Sequence, residues 1–351
     1  MSPISHLRAY LLGPFVSSTS TATTTTTGNP DNGSREAPRD EVPKPRFRLD
    51  NDSSDTLTLP DGRKLGYAQY GSLTGRPILY QHGLPGSRIE AAAFDEMGQK
   101  HGARIIATDR PGYGWSSPHP DRTLLDHPKD LECLAEHLGL DEYCVLGISG
   151  GGPYALACAM ALPREKLKCV SIVCGLGPPD IGMKGADFVH WVGFTFGWRY
   201  ARPIFIRWFF QREPAARLDL SDEKRLKLTQ ELVAKSEATA HESDLKVFKD
   251  VDFLRLYLRS ARESYVQGFD WVTQDGRLVA SDFGFRIEDI RADLPVQLWY
   301  GKHDRFVPLN HGEQIAARLG GGAHLRVKDE AHAGVSQNLR EEILKALVQS
   351  P

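Results

Sequence analysis

The run Tyr143-Cys144-Val145-Leu146, followed by Gly147-Ile148-Ser149-Gly150-Gly151 and then Gly152-Pro153-Tyr154-Ala155-Leu156-Ala157-Cys158-Ala159, constrains this chain more than any other stretch. A short apolar strand has to turn at once into a small-residue helix. Side chains on either side of the serine would clash in so tight a turn, so glycine fills those places. The turn raises the Ser149 hydroxyl above a sheet edge, and the helix N-terminus beneath it favours developing negative charge. Gly-x-Ser-x-Gly by itself arises by chance in many chains. Between this strand and this helix it is a strong signal for a nucleophilic hydroxyl.

The elements around it alternate. Leu57 to Leu59, the turn Pro60-Asp61-Gly62 and Lys64 to Tyr70 read as a hairpin, and Pro77 to Gln81 as a buried strand ending at His82-Gly83. Helical spacing over Arg88 to Lys100 leads to a strand from Arg104 to Thr108, and Leu124 to Leu138 is again helical. After the Ser149 turn come a strand from Leu167 to Cys174 and, much later, strands at Val296 to Tyr300 and Ala323 to Val327, with helices at Asn310 to Leu319 and Leu339 to Val348. A hairpin leading into alternating strands and helices predicts an α/β fold, a mostly parallel sheet with helices on both faces. Chemistry in such sheets sits at the carboxyl ends of the strands.

With 351 residues the chain is long enough for a large packed core. Its net charge of −2 provides no global basic field for nucleic acid or an anionic membrane. Cys133, Cys144, Cys158, Cys169 and Cys174 all fall inside apolar patterns, so they read as buried free thiols of a reducing compartment, and no Cys/His pairs have metal-site spacing. Residues 1–50 differ in kind, with a threonine tract from Thr19 to Thr27 punctuated further on by Pro30, Pro38, Pro43 and Pro45. Such a tail cannot bury enough apolar surface to offset its ordering entropy and is expected to be disordered. An inert tail of a cytoplasmic protein and a mitochondrial targeting segment are both compatible with it, since its first thirty residues carry Arg8 and no acid. A secretory leader fits less well, because Gly13-Pro14 breaks the apolar run from Ala9 to Val16.

The interval from about Gly175 to Arg291 is too long for one loop and shows helical patterns over Glu223 to Ala240 and Asp244 to Ser264. The domain reading is therefore a tail at 1–50, a core at 51–175 and 292–351, and a helical cap at 176–291. The front of the cap, Phe188 to Phe210, holds ten of the chain's 32 aromatic residues, interrupted by Arg199, Arg202 and Arg207, which argues against a transmembrane span. These rings either pack as a helix pair on the main domain or line an apolar pocket facing Ser149.

A serine hydroxyl needs an imidazole to take its proton, and the imidazole needs an acid to fix its tautomer. His332 follows the last strand directly and reaches the edge that carries Ser149. His303 adjoins the best acid, and His324 begins a strand at the opposite edge. Asp304 emerges at the active edge after Val296 to Tyr300; the alternatives are Asp180 as the acid, or Asp304 as a turn residue only. Two backbone N–H groups, from Leu84 and Gly150, are placed to form an oxyanion hole, with Pro85 holding Leu84 away from helical angles. His82 reads as a residue that hydrogen-bonds this loop into shape.

Together His82-Gly83, the segment Asp109-Arg110-Pro111-Gly112-Tyr113-Gly114-Trp115-Ser116, the Ser149 turn, the Asp304 turn and His332 resemble the α/β-hydrolase superfamily, from about Leu57 to Gln349. The resemblance implies an eight-stranded sheet with a cap inserted after strand six, and loop-structural roles for Asp109 and Arg110. Two departures stand out. Ala331 precedes His332 where the family usually has glycine, and the loop Gly83-Leu84-Pro85-Gly86 differs by one residue from the Gly-Gly-Pro-Gly of proline iminopeptidases. A nucleophilic serine sets the chain apart from epoxide hydrolases and haloalkane dehalogenases, which attack with aspartate.

The leading expectation is a cofactor-independent serine hydrolase acting on an ester, amide or thioester of a small, apolar substrate. The alternatives are a C–C bond hydrolase or cyclisation enzyme, a proline-iminopeptidase-like aminopeptidase, and a non-catalytic ligand sensor. An aminopeptidase needs cap carboxylates for the substrate ammonium, and Asp187, Glu213 and Asp219 form no suggestive cluster. No nucleic-acid partner is expected, and the sequence leaves the oligomeric state open.

Overall fold

The computed structural model describes residues 45–350. The threonine-rich part of the expected tail lies outside the described residues. One compact unit runs from Phe47 onward, and Phe47 itself is buried. An aromatic side chain near the end of a polar segment can dock on an apolar surface that composition does not reveal.

Eight strands form one sheet: β1 (Ser54–Thr58), β2 (Lys64–Gly71), β3 (Arg76–Gln81), β4 (Ala103–Thr108), β5 (Tyr143–Ile148), β6 (Leu167–Val173), β7 (Val296–Gly301) and β8 (Ala323–Lys328). Their order is β1-β2-β4-β3-β5-β6-β7-β8. The β1–β2 and β2–β4 pairs are antiparallel and the remaining pairs are parallel, as expected for a hairpin leading into crossover units. The central strands read as continuous apolar runs because both faces are covered. Leu79, Val145 and Leu298 face one core, while Ile78, Tyr80, Cys144, Leu146 and Trp299 face the other, an alternation set by the strand period of two.

The helices that cover the sheet are α1 (Asp95–His101), α2 (Asp126–His137) and α3 (Gly152–Ala161) in the first half. In the second half they are α11 (Asn310–Leu319), α12 (His332–Asn338) and α13 (Arg340–Val348). Between β6 and β7 lies a helical insertion: α4 (Phe188–Val192), a π-helical turn (Gly193–Gly197), α5 (Trp198–Tyr200), α6 (Pro203–Phe210), α7 (Asp222–Ser236), α8 (Glu242–Phe248), α9 (Val251–Tyr265) and α10 (Asp270–Ala280). Expected helix limits shifted where turns intervene. The pattern over Arg88 to Lys100 splits into a 3-10 segment, Arg88–Phe94, and α1, and the pattern from Asp244 to Ser264 divides between α8 and α9. Among the described residues no helix is long and apolar enough to cross a membrane.

At the end of β5 the backbone of the turn approaches the end of β3 with no room for a side chain. A Cβ at Gly151 would sit 2.2 Å from the Gln81 carbonyl oxygen, and one at Gly147 would sit 2.6 Å from the Gly151 carbonyl oxygen. Neither neighbour can move, because both are backbone. Gly151→Ala is therefore expected to destabilise the fold by about 2 kcal/mol or more, read as a lowered urea midpoint at unchanged slope.

Candidate active site

Ser149 occupies the left-handed region, with φ +54°, where a non-glycine residue is strained and held by its surroundings. Two contacts hold it: its carbonyl accepts the Leu176 N–H at 3.1 Å, and the 3-10 turn Ser149–Gly151 leads straight into α3. The hydroxyl lies 3.0 Å from Nε2 of His332, and Nδ1 of the same ring lies 2.7 Å from Oδ2 of Asp304. An ionised carboxylate can only accept, so Nδ1 carries a proton, and in the neutral ring Nε2 is left to accept from the hydroxyl. The other Asp304 oxygen accepts the Phe306 and Val307 N–H groups at 2.8 and 2.9 Å. Asp304 therefore caps its turn with one oxygen and holds the imidazole with the other. Burial disfavours charge on His332, but the Asp304 carboxylate outweighs it and holds the imidazole well above its ordinary pKa.

His332 is the first residue of α12, a short helix where the sequence pattern reads as a loop ahead of the last helix. Ala331 is extended, with φ −102° and ψ −169°, so no positive φ is required and the alanine fits where the family pattern has glycine. The insertion grips this loop. Ser243 Oγ accepts the Ala331 N–H at 3.0 Å, and Asp244 accepts the Gly334 N–H at 3.0 Å.

On the other side of Ser149 the loop after β3 closes in. A Cβ at Gly150 would lie 3.0 Å from the Leu84 nitrogen, so the two backbones are adjacent. Among the described residues the Leu84 N–H meets no hydrogen-bond acceptor, and the Leu84–Pro85 bond is cis. The Gly83 N–H is taken by Glu90, which also accepts from the Tyr80 hydroxyl at 2.7 Å. His82 Nδ1 donates to the Gly83 carbonyl at 2.8 Å. Burial, reinforced by the Arg110 charge, pushes the His82 pKa well down, so the ring stays neutral and shapes the loop.

Arg110 proves to touch both sides of the site. Its guanidinium donates to the carbonyls of His82, Gly83 and Gly150, the last two at 3.3 Å. Its charge is met by Asp275 of α10 at 2.6 Å. Asp275 also binds Arg122 at 2.9 Å, the Tyr113 hydroxyl at 3.0 Å and the Tyr154 hydroxyl. Burial raises the pKa of this carboxyl, but Arg110 and Arg122 overcome that and hold it far below the usual carboxylate range. The sequence reading missed Asp275, because nothing in α10 distinguishes it from a solvent-facing acid.

Other candidates lie elsewhere. Asp180 pairs with Arg318 at 2.6 Å, and His303 pairs with Asp329 at 3.0 Å. His324 is exposed on β8. Asp187 caps α4 and binds His190, and Asp219 pairs with Arg217. Glu213 is half-buried, and burial raises its pKa. Neither reading of the cap aromatics covers them all. Trp198 is core, stacked on Phe210, whereas Tyr200 and Phe205 are exposed. A groove of about 590 Å³ reaches Asp304 but neither Ser149 nor His332. Cys174, Asp304 and His332 bring one ligand atom each within 4.8 Å of one another, but burial raises the Cys174 thiol, and the other two are engaged with each other. Such a set suits proton transfer better than metal binding.

Two stability effects follow. Asp275→Ala leaves two buried guanidiniums without their counter-charge and is expected to cost about 3–5 kcal/mol in urea unfolding. His127 and His311, pushed down by burial to about 3 and about 4, are neutral when folded and protonate when unfolded. Stability therefore falls as pH drops below about 6.5, by about 2 kcal/mol per histidine between pH 7 and 5. Unfolding at both pH values, with His127→Gln giving the shallower dependence, checks this.

Known proteins resemble the chain in sequence and fold. The family model for the alpha/beta hydrolase fold matches residues 76–339. A proline iminopeptidase of Xanthomonas citri is 36% identical over 110 residues, 30% of this chain and 34% of that protein. A non-heme chloroperoxidase of Streptomyces lividans is 33% identical over 122 residues, 33% of this chain and 43% of that one. The chain thus matches only about a third of the length of such curated relatives. Among solved structures, an esterase from Exiguobacterium antarcticum aligns over 84% of this chain and 99% of its own, with a TM-score of 0.57 and 18% identity.

Proposed function

Because the chain belongs to the alpha/beta hydrolase family, we propose that it is a cofactor-independent serine hydrolase cleaving a carboxylic ester of a small, apolar substrate through an acyl-enzyme. The observation that carries this reading is the imidazole of His332 held between a hydroxyl at 3.0 Å and a buried carboxylate at 2.7 Å. The Ser149 oxygen attacks the carbonyl carbon while its proton passes to Nε2 of His332. The same proton goes to the leaving alkoxide as the carbon–oxygen bond breaks. Water, deprotonated by His332, then releases the acid. Asp304 orients the ring and stabilises the imidazolium, and the Leu84 and Gly150 N–H groups receive the oxyanion.

Residues 176–291 serve as the cap. Its His190 ring stacks on Phe306 at 4.3 Å, and Phe306 lies 5.2 Å from the His332 ring, so the Phe306 ring offers an apolar face beside the imidazole for an acyl or alcohol group. Free thiols at Cys133, Cys144, Cys158, Cys169 and Cys174 are compatible with a cytoplasmic protein.

A proline-iminopeptidase-like activity is the second reading, favoured by the local similarity to those enzymes and by Gly83-Leu84-Pro85-Gly86. Parallel assays with a p-nitrophenyl acyl ester and a prolyl arylamide separate the two: turnover of the arylamide alone would replace the esterase reading.

Ser149→Ala is expected to abolish fluorophosphonate labelling and to lower turnover by about 10⁴ to 10⁶. Retained labelling would remove Ser149 from the mechanism. His332 must be neutral to act as base, and Asp304 raises its pKa, so kcat/KM is expected to rise with pH through a midpoint above the ordinary imidazole value. Asp304→Asn should move that midpoint to lower pH and reduce kcat by about 10⁴.

A further inference from the structure

From Phe188 to Arg212 the chain carries no Asp or Glu, while Arg199, Arg202, Arg207 and Arg212 are spread along it. Among the described residues none of these four guanidiniums pairs with a carboxylate; Arg212 instead lies over the Trp208 ring at 3.4 Å and donates to the Trp208 carbonyl. Large apolar side chains stand out between them. Tyr200 and Ile204 are each 68% exposed and Phe205 61%. Phe188, Trp191 and Phe196, also exposed, form a chain of ring contacts at 6.3 and 5.7 Å. In α6 Ile206 is the buried residue, while Ile204, Phe205, Arg207 and Trp208 are exposed.

Singly exposed hydrophobes are ordinary, but this density in one acid-free segment is not. Aromatic rings interleaved with arginines match the boundary between headgroups and acyl chains, where rings insert and guanidiniums reach phosphate. We propose that the segment α4–α6 docks the protein on an anionic phospholipid surface. The whole-chain charge of −2 does not oppose this, because screening confines the relevant field to within about 10 Å of the surface. A second copy of the chain fits the face less well, since a two-fold contact would set the unneutralised arginines of one copy against those of the other. The segment also reaches the candidate site, through the His190–Phe306 stack beside His332. Docking does not depend on the hydrolytic reading and is tested without it.

The full chain, mixed with phosphatidylcholine vesicles or phosphatidylcholine/phosphatidylglycerol vesicles, is sedimented at low and high salt. Binding is expected with the anionic vesicles and should weaken with salt. Arg202→Gln with Arg207→Gln should lower partitioning about 25-fold, from about fivefold per charge, and Phe205→Ser with Trp208→Ser at least about tenfold. All four side chains are exposed, so circular dichroism and the urea midpoint of the variants should stay unchanged. A full chain that does not sediment with anionic vesicles, or variants that bind as well as it does, would overturn the proposal. So would a concentration-dependent dimer abolished by Phe205→Ser without any vesicle binding, which would assign the face to a second copy.

Discussion

The buried charge of Asp275 underlies the whole arrangement. Arg110 follows β4 and Arg122 lies in the loop that leads to α2, and both are enclosed by protein, a position that neither could hold without a counter-ion. The carboxylate that supplies it belongs to α10, inside the insertion. Once neutralised, Arg110 donates to carbonyls of the β3 loop and of the Ser149 turn, and so sets the spacing of the two backbones that flank the serine. The insertion is thus part of the site's scaffold and not an appendage to it.

A second tie runs from the insertion to the other end of the site. Ser243 and Asp244 of α8 fix the backbone around His332, while Asp304 fixes its ring. The ring is therefore constrained through its main chain by one element and through its side chain by another. Ahead of these ties in the chain, the front of the insertion, α4 to α6, keeps Trp198 and Ile206 in the core and leaves Phe188, Trp191, Phe196, Tyr200, Phe205 and Trp208 exposed. One helical segment thus divides its work: α8 and α10 support the site, and α4 to α6 form an outer surface.

Much of this was legible in advance where the controlling physics is local. The strand–turn–helix around Ser149 follows from short-range sterics, and the succession of strands and helices along the chain follows from apolar runs spaced by helical patterns. Asp304 and His332 could be named because each directly follows a strand of known direction. Where the controlling contact is distant, the reading failed. Asp275 looks like any helical acid until Arg110 and Arg122, more than 150 residues earlier, close around it. The exposed cap rings read as core or pocket because composition reports apolarity and not direction. Phe47 was assigned to the tail for the same reason, since the apolar cluster it joins is built from residues scattered along the rest of the chain.

The amino-acid order alone determined the class of fold, the tight turn that presents a hydroxyl, and the placing of a carboxylate and an imidazole at the same strand edge. These depend on periodicity, on glycine where no side chain fits, and on chain direction, all of which act over a few residues. The three-dimensional fold alone decided which carboxylate is buried as counter-charge, which backbone amides face one another, and which aromatic rings meet solvent. Those outcomes depend on desolvation and close approach between segments far apart in the chain, and no stretch of sequence contains both partners.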